Sequence, residues 1–253
     1  MSRQASMTSM LKHTEIKPAM KNQTLRSIVC GISTALFLST MVQAENPAST
    51  PADRDGLLLE YRFEGDASDT SGNNQHGDLL GQPAFVEGRH GKCLSLSGRG
   101  DYVDTLLASA DLGDTFTVEC WVKPDAGQNA FANIFGNHAD GGLGIVVQQD
   151  GGNVNSFNAA FGKGDGQWAT TPQVQLDADK WQHVAVVKTP ESLSFFLNGK
   201  EVASVPASAP MAASPMTLRV GLGYADLGRC FSGCIDEFRV WKKAVTDFGQ
   251  VSK

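Results

Sequence analysis

Hydrolysis of a glycosidic bond by double displacement needs two carboxyl groups about 5–5.5 Å apart across the scissile bond. Beyond residue 44 the glutamates are Glu45, Glu60, Glu64, Glu87, Glu119, Glu191, Glu201 and Glu237. None falls in a Glu-x-Asp-x-Glu or Glu-x-Asp-x-x-Glu string. Glu60 and Glu64 share a strand face, but four residues of extended chain separate them by about 13 Å. Asp236 and Glu237 are adjacent and point to opposite faces. The chain has no Gly-x-Ser-x-Gly turn, no His-Glu-x-x-His motif and no phosphate loop. His76, His90, His138 and His183 show no metal-ligand spacing. His183 lies within an alternating segment, which predicts a packed, hydrogen-bonded ring. His138 lies in the glycine-rich run Gly136-Asn-His-Ala-Asp-Gly-Gly142, a better place to meet a ligand.

Aromatic rings among glycines suit sugar binding better than catalysis. Trp168 ends Gly162-Lys-Gly-Asp-Gly-Gln-Trp168, and Tyr224 sits in Gly221-Leu-Gly-Tyr-Ala-Asp226. Both read as residues of loops between strands. A flat ring can stack on the C–H face of a sugar while Asn and Asp side chains hold its hydroxyls. Trp168 is therefore the expected anchor, with Asn137, His138, Asp140 and Tyr224 as partners. The competing expectation is that both rings cap the domain edge as core. Asp66-Ala-Ser-Asp-Thr-Ser-Gly-Asn-Asn74 offers several oxygens in one turn. They could meet a calcium ion or serve the turn's own hydrogen bonds. Arg99-Gly-Asp101 is the cell-adhesion tripeptide, read here as a turn that enters a strand.

The elements that must position these residues are short strands. Phe116, Val118, Cys120 and Val122 share one face of their segment; Thr117, Glu119, Trp121 and Lys123 share the other. This period of two predicts a half-buried strand. Leu57–Phe63 alternates in the same way after its first residues. Further strands are expected at 93–96, 101–105, 143–148, 156–161, 181–188, 193–197, 200–205, 217–221 and 234–241. Asn198-Gly199 accepts positive φ at both turn positions and predicts a two-residue hairpin. Helical periodicity is confined to 244–252. The fold class is thus all-β, an antiparallel two-sheet jelly-roll sandwich.

Residues 1–44 read as an export signal: Lys21 and Arg26 precede an apolar run that ends Val42-Gln-Ala44. The run is short and diluted for a stable membrane span. Residues 45–55 hold two prolines and read as a flexible linker, 56–245 as the folded domain and 246–253 as a tail. The leading 44 residues carry five basic groups against Glu15. Without them the 21 basic and 27 acidic residues become 16 and 26, a net charge of −10. Nucleic acid is not the expected partner of such a surface. An exported chain reaches an oxidising compartment, so Cys93, Cys120, Cys230 and Cys234 are disulfide candidates with three possible connectivities. Cys230 and Cys234 would lie about 13 Å apart in an extended strand, too far for a bridge. The expected bridge joins Cys230 or Cys234 to Cys93 or Cys120, although Cys120 also groups with core residues and could stay a thiol.

Several phrases resemble concanavalin A-like jelly rolls of the laminin G-like and pentraxin-like type. They are Tyr61-Arg-Phe-Glu-Gly65 with Asp69-Thr-Ser-Gly-Asn73, Gly88-Arg-His-Gly-Lys-Cys-Leu-Ser-Leu-Ser-Gly98, Asp101-Tyr-Val103, and Phe116-Thr-Val-Glu-Cys-Trp-Val-Lys-Pro124. Trp181-Gln-His-Val-Ala185, Phe196-Leu-Asn-Gly-Lys200 and Phe231-Ser-Gly-Cys-Ile-Asp-Glu-Phe-Arg-Val-Trp241 follow in the family's order. The resemblance covers roughly 57–245 and implies two antiparallel sheets packed face to face. It does not fix function, since this fold carries lectins, adhesion modules and glycanases. With the export segment and no paired carboxyls, the expected reading is an exported, non-catalytic binding module, for glycan first and for an extracellular or cell-surface protein second. A glycanase is the third possibility on this fold. It also suggests that Asp236 joins Asp69 in a structural calcium site, and that Cys234 stands where laminin G domains have a bridged cysteine. The pentraxin-like partner for Cys120 is missing from 181–188, so the pairing stays open. Export is expected to leave a chain that starts at Glu45, secreted or otherwise outside the cytoplasm. Intact mass checks this, and a membrane-retained chain still carrying Met1, Met10 or Met20 would contradict it.

Overall fold

The computed structural model describes residues 54–152 and 154–249. The expected export segment (residues 1–44), residues 45–53 of the expected linker and residues 250–253 of the expected tail lie outside the described residues. Two antiparallel sheets of eight strands each make up the domain. The first contains β1 (Leu57–Tyr61), β3 (Ala84–Glu87), β4 (Lys92–Ser97), β6 (Phe116–Pro124), β12 (Gln182–Lys188), β13 (Ser192–Leu197), β14 (Lys200–Pro206) and β16 (Ser232–Trp241). The second contains β2 (Asp78–Leu80), β5 (Tyr102–Asp104), β7 (Asn133–Gly136), β8 (Ile145–Gln149), β9 (Ser156–Gly164), β10 (Gln167–Thr170), β11 (Val174–Gln175) and β15 (Arg219–Val220). The first sheet runs β14-β13-β12-β6-β16-β4-β3, with β1 also on β16. The second runs β10-β9-β8-β7-β15-β5-β2, with β11 on β9.

Alternation builds the core. Phe116, Val118, Cys120 and Val122 of β6 point inward, as do Val184 and Val186 of β12 and Leu94 and Leu96 of β4; all are buried. Ile145 and Val147 of β8 and Phe157, Ala159 and Phe161 of β9 face them from the second sheet. Asn198 and Gly199 hold φ of 50° and 77°, so the two-residue hairpin forms as its sequence predicts.

The outward face of the first sheet departs from simple alternation. Thr117, Glu119 and Trp121 are buried there too: the chain returns over Thr117 and His183 after β16, and Arg89 and His90 pack on Trp121. Thr117 Oγ1 donates to the Lys243 carbonyl at 2.8 Å and accepts from the Val245 amide at 2.9 Å. The Phe248 ring packs 5.3 Å from Phe196 and 5.1 Å from His183. Beneath this cover the Glu119 carboxylate meets His183 Nε2 at 2.9 Å and accepts from Trp241 Nε1 at 2.8 Å. Burial pushes the Glu119 carboxyl up, yet its bonds to His183 and Trp241 and the charge of Arg239 bring it below its ordinary value. Glu60 on β1 is likewise buried and accepts from Thr70 Oγ1, Arg239 Nε and Arg54.

Several boundaries shift from the sequence-based expectation. Arg54 belongs to the fold through Glu60, so the linker ends earlier than 55. Residues 244–248 form no helix and Gly249 lies in a turn, and Phe248 docks on the sheet instead of lying in a free tail. Strands β2, β3, β7, β10 and β11 and the one-turn helix α1 (Ser109–Leu112) have no counterpart in that expectation. β7 is buried at every position, which removes the alternating signal. β10 had a legible cue: Asp165 and Gly166 carry φ of 52° and 74°, a two-residue hairpin like Asn198-Gly199.

The Glu60 network generates an acid-stability prediction. Burial raises the Glu60 carboxyl, but the Thr70, Arg239 and Arg54 contacts outweigh it and hold it at about 2, against an ordinary 4.5. Its contribution is complete above pH 4.5 and is lost as pH falls toward 2. It is on the order of 2–3 kcal/mol. Urea unfolding of wild type and Glu60→Gln should show a stability gap that closes across that window. A gap that stays constant with pH would contradict the assignment.

Candidate functional site

The outward face of the second sheet carries a cleft of about 360 Å³, within the usual range for small-ligand sites. Strand register sets its floor. Ala160 of β9 stands between Val146 of β8 and Thr170 of β10, and Gln148 stands opposite Asn158. Trp168 rises from β10 opposite Gly162. The walls come from the loop His138–Gly142 and from Tyr224 and Arg229.

Gly162 decides where the loop can lie. A Cβ there would meet the Gly142 carbonyl oxygen at 1.9 Å. Only glycine lets the loop settle on the β9–β10 hairpin. The Gly162, Gly164 and Gly166 amides then donate to the carbonyls of Gly144, Gly142 and Gly141 at 2.8, 2.9 and 2.8 Å. These glycines therefore fasten the loop to the hairpin. Trp168 itself is a strand residue, not a loop residue.

The loop delivers an aromatic wall. The His138 ring stacks on Tyr224, with centroids 4.5 Å apart and planes 8° apart, and meets Trp168 edge-on at 5.8 Å. The Tyr224 hydroxyl donates to Asp140 Oδ1 at 2.5 Å, and this bond raises its pKa. The Arg229 guanidinium lies 4.5 Å from the Tyr224 centroid and 5.2 Å from that of Phe131. Burial, and after it the charge of Arg229, push His138 down to about 4 against the opposing pull of Asp140. The ring is thus neutral at neutral pH. His138 Nδ1 is buried without a partner, and an unmet acceptor costs less than an unmet N–H, which assigns the ring proton to Nε2. Asn158 Oδ1 is also buried and unpartnered.

Trp168, Tyr224, His138 and Asp140 therefore meet in one cleft. Asn137 does not join them: it is fully buried, donating to Ser109 Oγ at 2.8 Å and accepting from the Ile145 amide at 2.9 Å. It anchors the start of the loop from beneath. Gln148, Thr170 and Arg229 also line the cleft, and sequence reasoning missed them. Gln148 and Thr170 are polar residues on the outward set of β8 and β10, a signal that needs the register to be read. Arg229 ends a short 3-10 turn at Leu227–Arg229 and carries no sequence cue.

Asp69 and Asp236 hold turns. Asp69 accepts from the amides of Glu60, Ser71 and Gln75 at 3.0, 2.9 and 3.0 Å and from Ser71 Oγ at 2.8 Å. Asp236, fully buried, accepts from the amides of Arg89 and His90, each at 2.9 Å, and of Glu237 at 2.8 Å. N–H and O–H donors face the oxygens that a cation would need. Among the described residues no cluster of three or more His, Cys, Asp or Glu side chains is arranged to hold a metal. The four cysteines among the described residues, Cys93, Cys120, Cys230 and Cys234, are buried and unbridged.

Residues 97–247 match a laminin G-type family model described as the Concanavalin A-like lectin/glucanases superfamily. The chain belongs to this superfamily. It is 29% identical over 174 residues to mouse (Mus musculus) Pappalysin-1, across 61% of this chain and about a tenth of that much longer protein. Among solved structures it resembles domain 4 of AbnA, an extracellular arabinanase from Geobacillus stearothermophilus, in complex with arabinotriose. That match has TM-score 0.61 and 23% identity, over 75% of this chain and 93% of that one. The binding domain of Paraclostridial Mosquitocidal Protein 1 matches with TM-score 0.61 and 14% identity, over 76% of this chain and half of that one. The binding domain of botulinum neurotoxin DC in complex with SialylT gives 0.58 and 15%, over 76% and 49%. These likenesses establish the superfamily's sandwich. Among the described residues no helix is long and apolar enough to cross a membrane.

The cleft's electrostatics can be read without a ligand. The His138 ring signals in NMR should titrate with a midpoint of about 4. Arg229→Ala should move it upward, because the guanidinium disfavours the imidazolium. A wild-type midpoint near the unperturbed value of about 6.5 would contradict the packing described.

Proposed function

We propose that this chain is an exported, non-catalytic carbohydrate-binding module that holds a neutral glycan in the cleft on the outward face of the second sheet. The observation that carries the reading is the convergence of Trp168, Tyr224 and His138 with Asp140, Gln148, Thr170 and Arg229 in one cleft. Rings stack on sugar C–H faces, and polar ends of both hydrogen-bonding kinds suit hydroxyls, which donate and accept. Asp140 is the one carboxylate among the lining residues. Glycoside hydrolysis ordinarily uses two, so binding fits the cleft better than cleavage. A net charge of −10 beyond residue 44 favours a neutral sugar over a strongly anionic polymer.

The arabinanase domain's complex with arabinotriose makes that trisaccharide a natural first probe. A glycan array run with and without EDTA surveys the rest and reads any calcium requirement directly. Stacking on one aromatic ring contributes about 1–1.5 kcal/mol. Trp168→Ala should therefore weaken binding roughly tenfold while the melting temperature stays close to wild type. Loss of fold with unchanged affinity per folded molecule would place Trp168 in the core and the site elsewhere. Binding of an extracellular protein with no glycan bound would favour the adhesion reading instead.

A further inference from the structure

We propose that Cys93 and Cys234 form a disulfide that staples β4 to β16 once the folded chain meets a small-molecule disulfide such as oxidised glutathione. Strand register brings the two together. Cys234 stands opposite Ser95, and Ile235 stands opposite Leu94. Leu94 and Ile235 both point into the core. By period two, Cys93, Ser95 and Cys234 therefore share the outward face of the first sheet. Cys93 and Cys234 lie on the diagonal of that face, and each thiol is the strongest influence on the other's acidity, raising Cys93 and lowering Cys234.

The other cysteines are placed elsewhere. Cys120 is on the inward face of β6, within the core. Cys230 precedes β16, and its backbone forms a β-bridge with Asn133 of the second sheet. This resolves the open connectivity in favour of one bridge and two thiols. Cys93 is fully buried and Cys234 is 8% exposed, so Cys234 is the sulfur that a small disulfide reaches first.

The exchange balances without any further oxidant. The Cys234 thiolate attacks one sulfur of oxidised glutathione, forming a mixed disulfide and releasing one glutathione thiolate. The Cys93 thiolate then attacks Cys234 Sγ and releases the second. Two electrons pass from the protein to glutathione, and the two protein protons end on the two released thiols. The weak bond from Cys93 Sγ to the Glu87 carbonyl at 3.6 Å is given up. The bridge joins strands far apart in the chain and constrains the unfolded state accordingly. It also lies on the sheet opposite the cleft, so oxidation should change stability and leave ligand binding alone.

The test equilibrates the full folded chain with oxidised and reduced glutathione until its thiol count is constant, then alkylates, denatures and maps peptides. The expected product is lighter by about 2 Da, with one bridge linking the peptides of Cys93 and Cys234. Cys120 and Cys230 should then become alkylated only after denaturation. The oxidised form should melt higher than the reduced form, and Cys93→Ala/Cys234→Ala should abolish that difference. Cys93 and Cys234 both persisting as thiols, or a bridge that includes Cys120 or Cys230, would overturn the proposal. Peptide mapping is done on wild-type protein, so the bridge it finds does not depend on how the double variant folds.

Discussion

The buried Glu119 carboxylate ties together the three central strands of the first sheet. It lies on β6 and reaches His183 on β12 and Trp241 on β16. A charge at that depth is tolerable only when its oxygens are met. The pairing registers of β6 with both neighbours are therefore coupled to one side chain. A one-residue slip on either side would strand the carboxylate and turn core residues outward. The return of the chain across Thr117 and Phe196 completes the cover and keeps water off the network.

This arrangement makes the two outward faces of the sandwich unlike. The first sheet's outer surface is occupied by its own chain: Trp121 packs against His183 and lies 4.8 Å from the Arg89 guanidinium, and Asp236 holds the 88–91 turn. Among the described residues, the second sheet carries no such return across β8, β9 and β10. Its outward residues there, Val146, Gln148, Ala160, Trp168 and Thr170, line a cleft. The glycine ladder at 162–166 then clamps one loop to the hairpin and fixes His138 against Tyr224. The aromatic wall is thereby built in advance of any ligand, which limits the ordering cost of binding.

Alternation on β6 and the Asn198-Gly199 hairpin made the two-sheet architecture readable from sequence. The ordered family phrases placed the strands in sequence. The strands that escaped were short, exposed or buried on both faces, and such segments have no period to detect. Trp168, Tyr224, His138 and Asp140 were legible because rings and polar residues among glycines rarely serve a core. Asn137 misled, since its place in the same loop says nothing of whether its amide faces out or in. Gln148, Thr170 and Arg229 enter only through register and the path of a 3-10 turn. Asp69 and Asp236 share the oxygen-rich chemistry of cation ligands, and only their N–H donors reveal the turns they hold.

The central claim is that ligand meets the second sheet at Trp168. The most direct measurement follows the four tryptophan indole N–H signals by NMR while arabinotriose, and then each glycan that binds on the array, is titrated into the folded chain. The account predicts a saturable shift at Trp168, with Trp121 and Trp241 on the covered first sheet unmoved. Saturable binding that shifts Trp121, Trp181 or Trp241 and leaves Trp168 still, or no glycan binding at all, would contradict it.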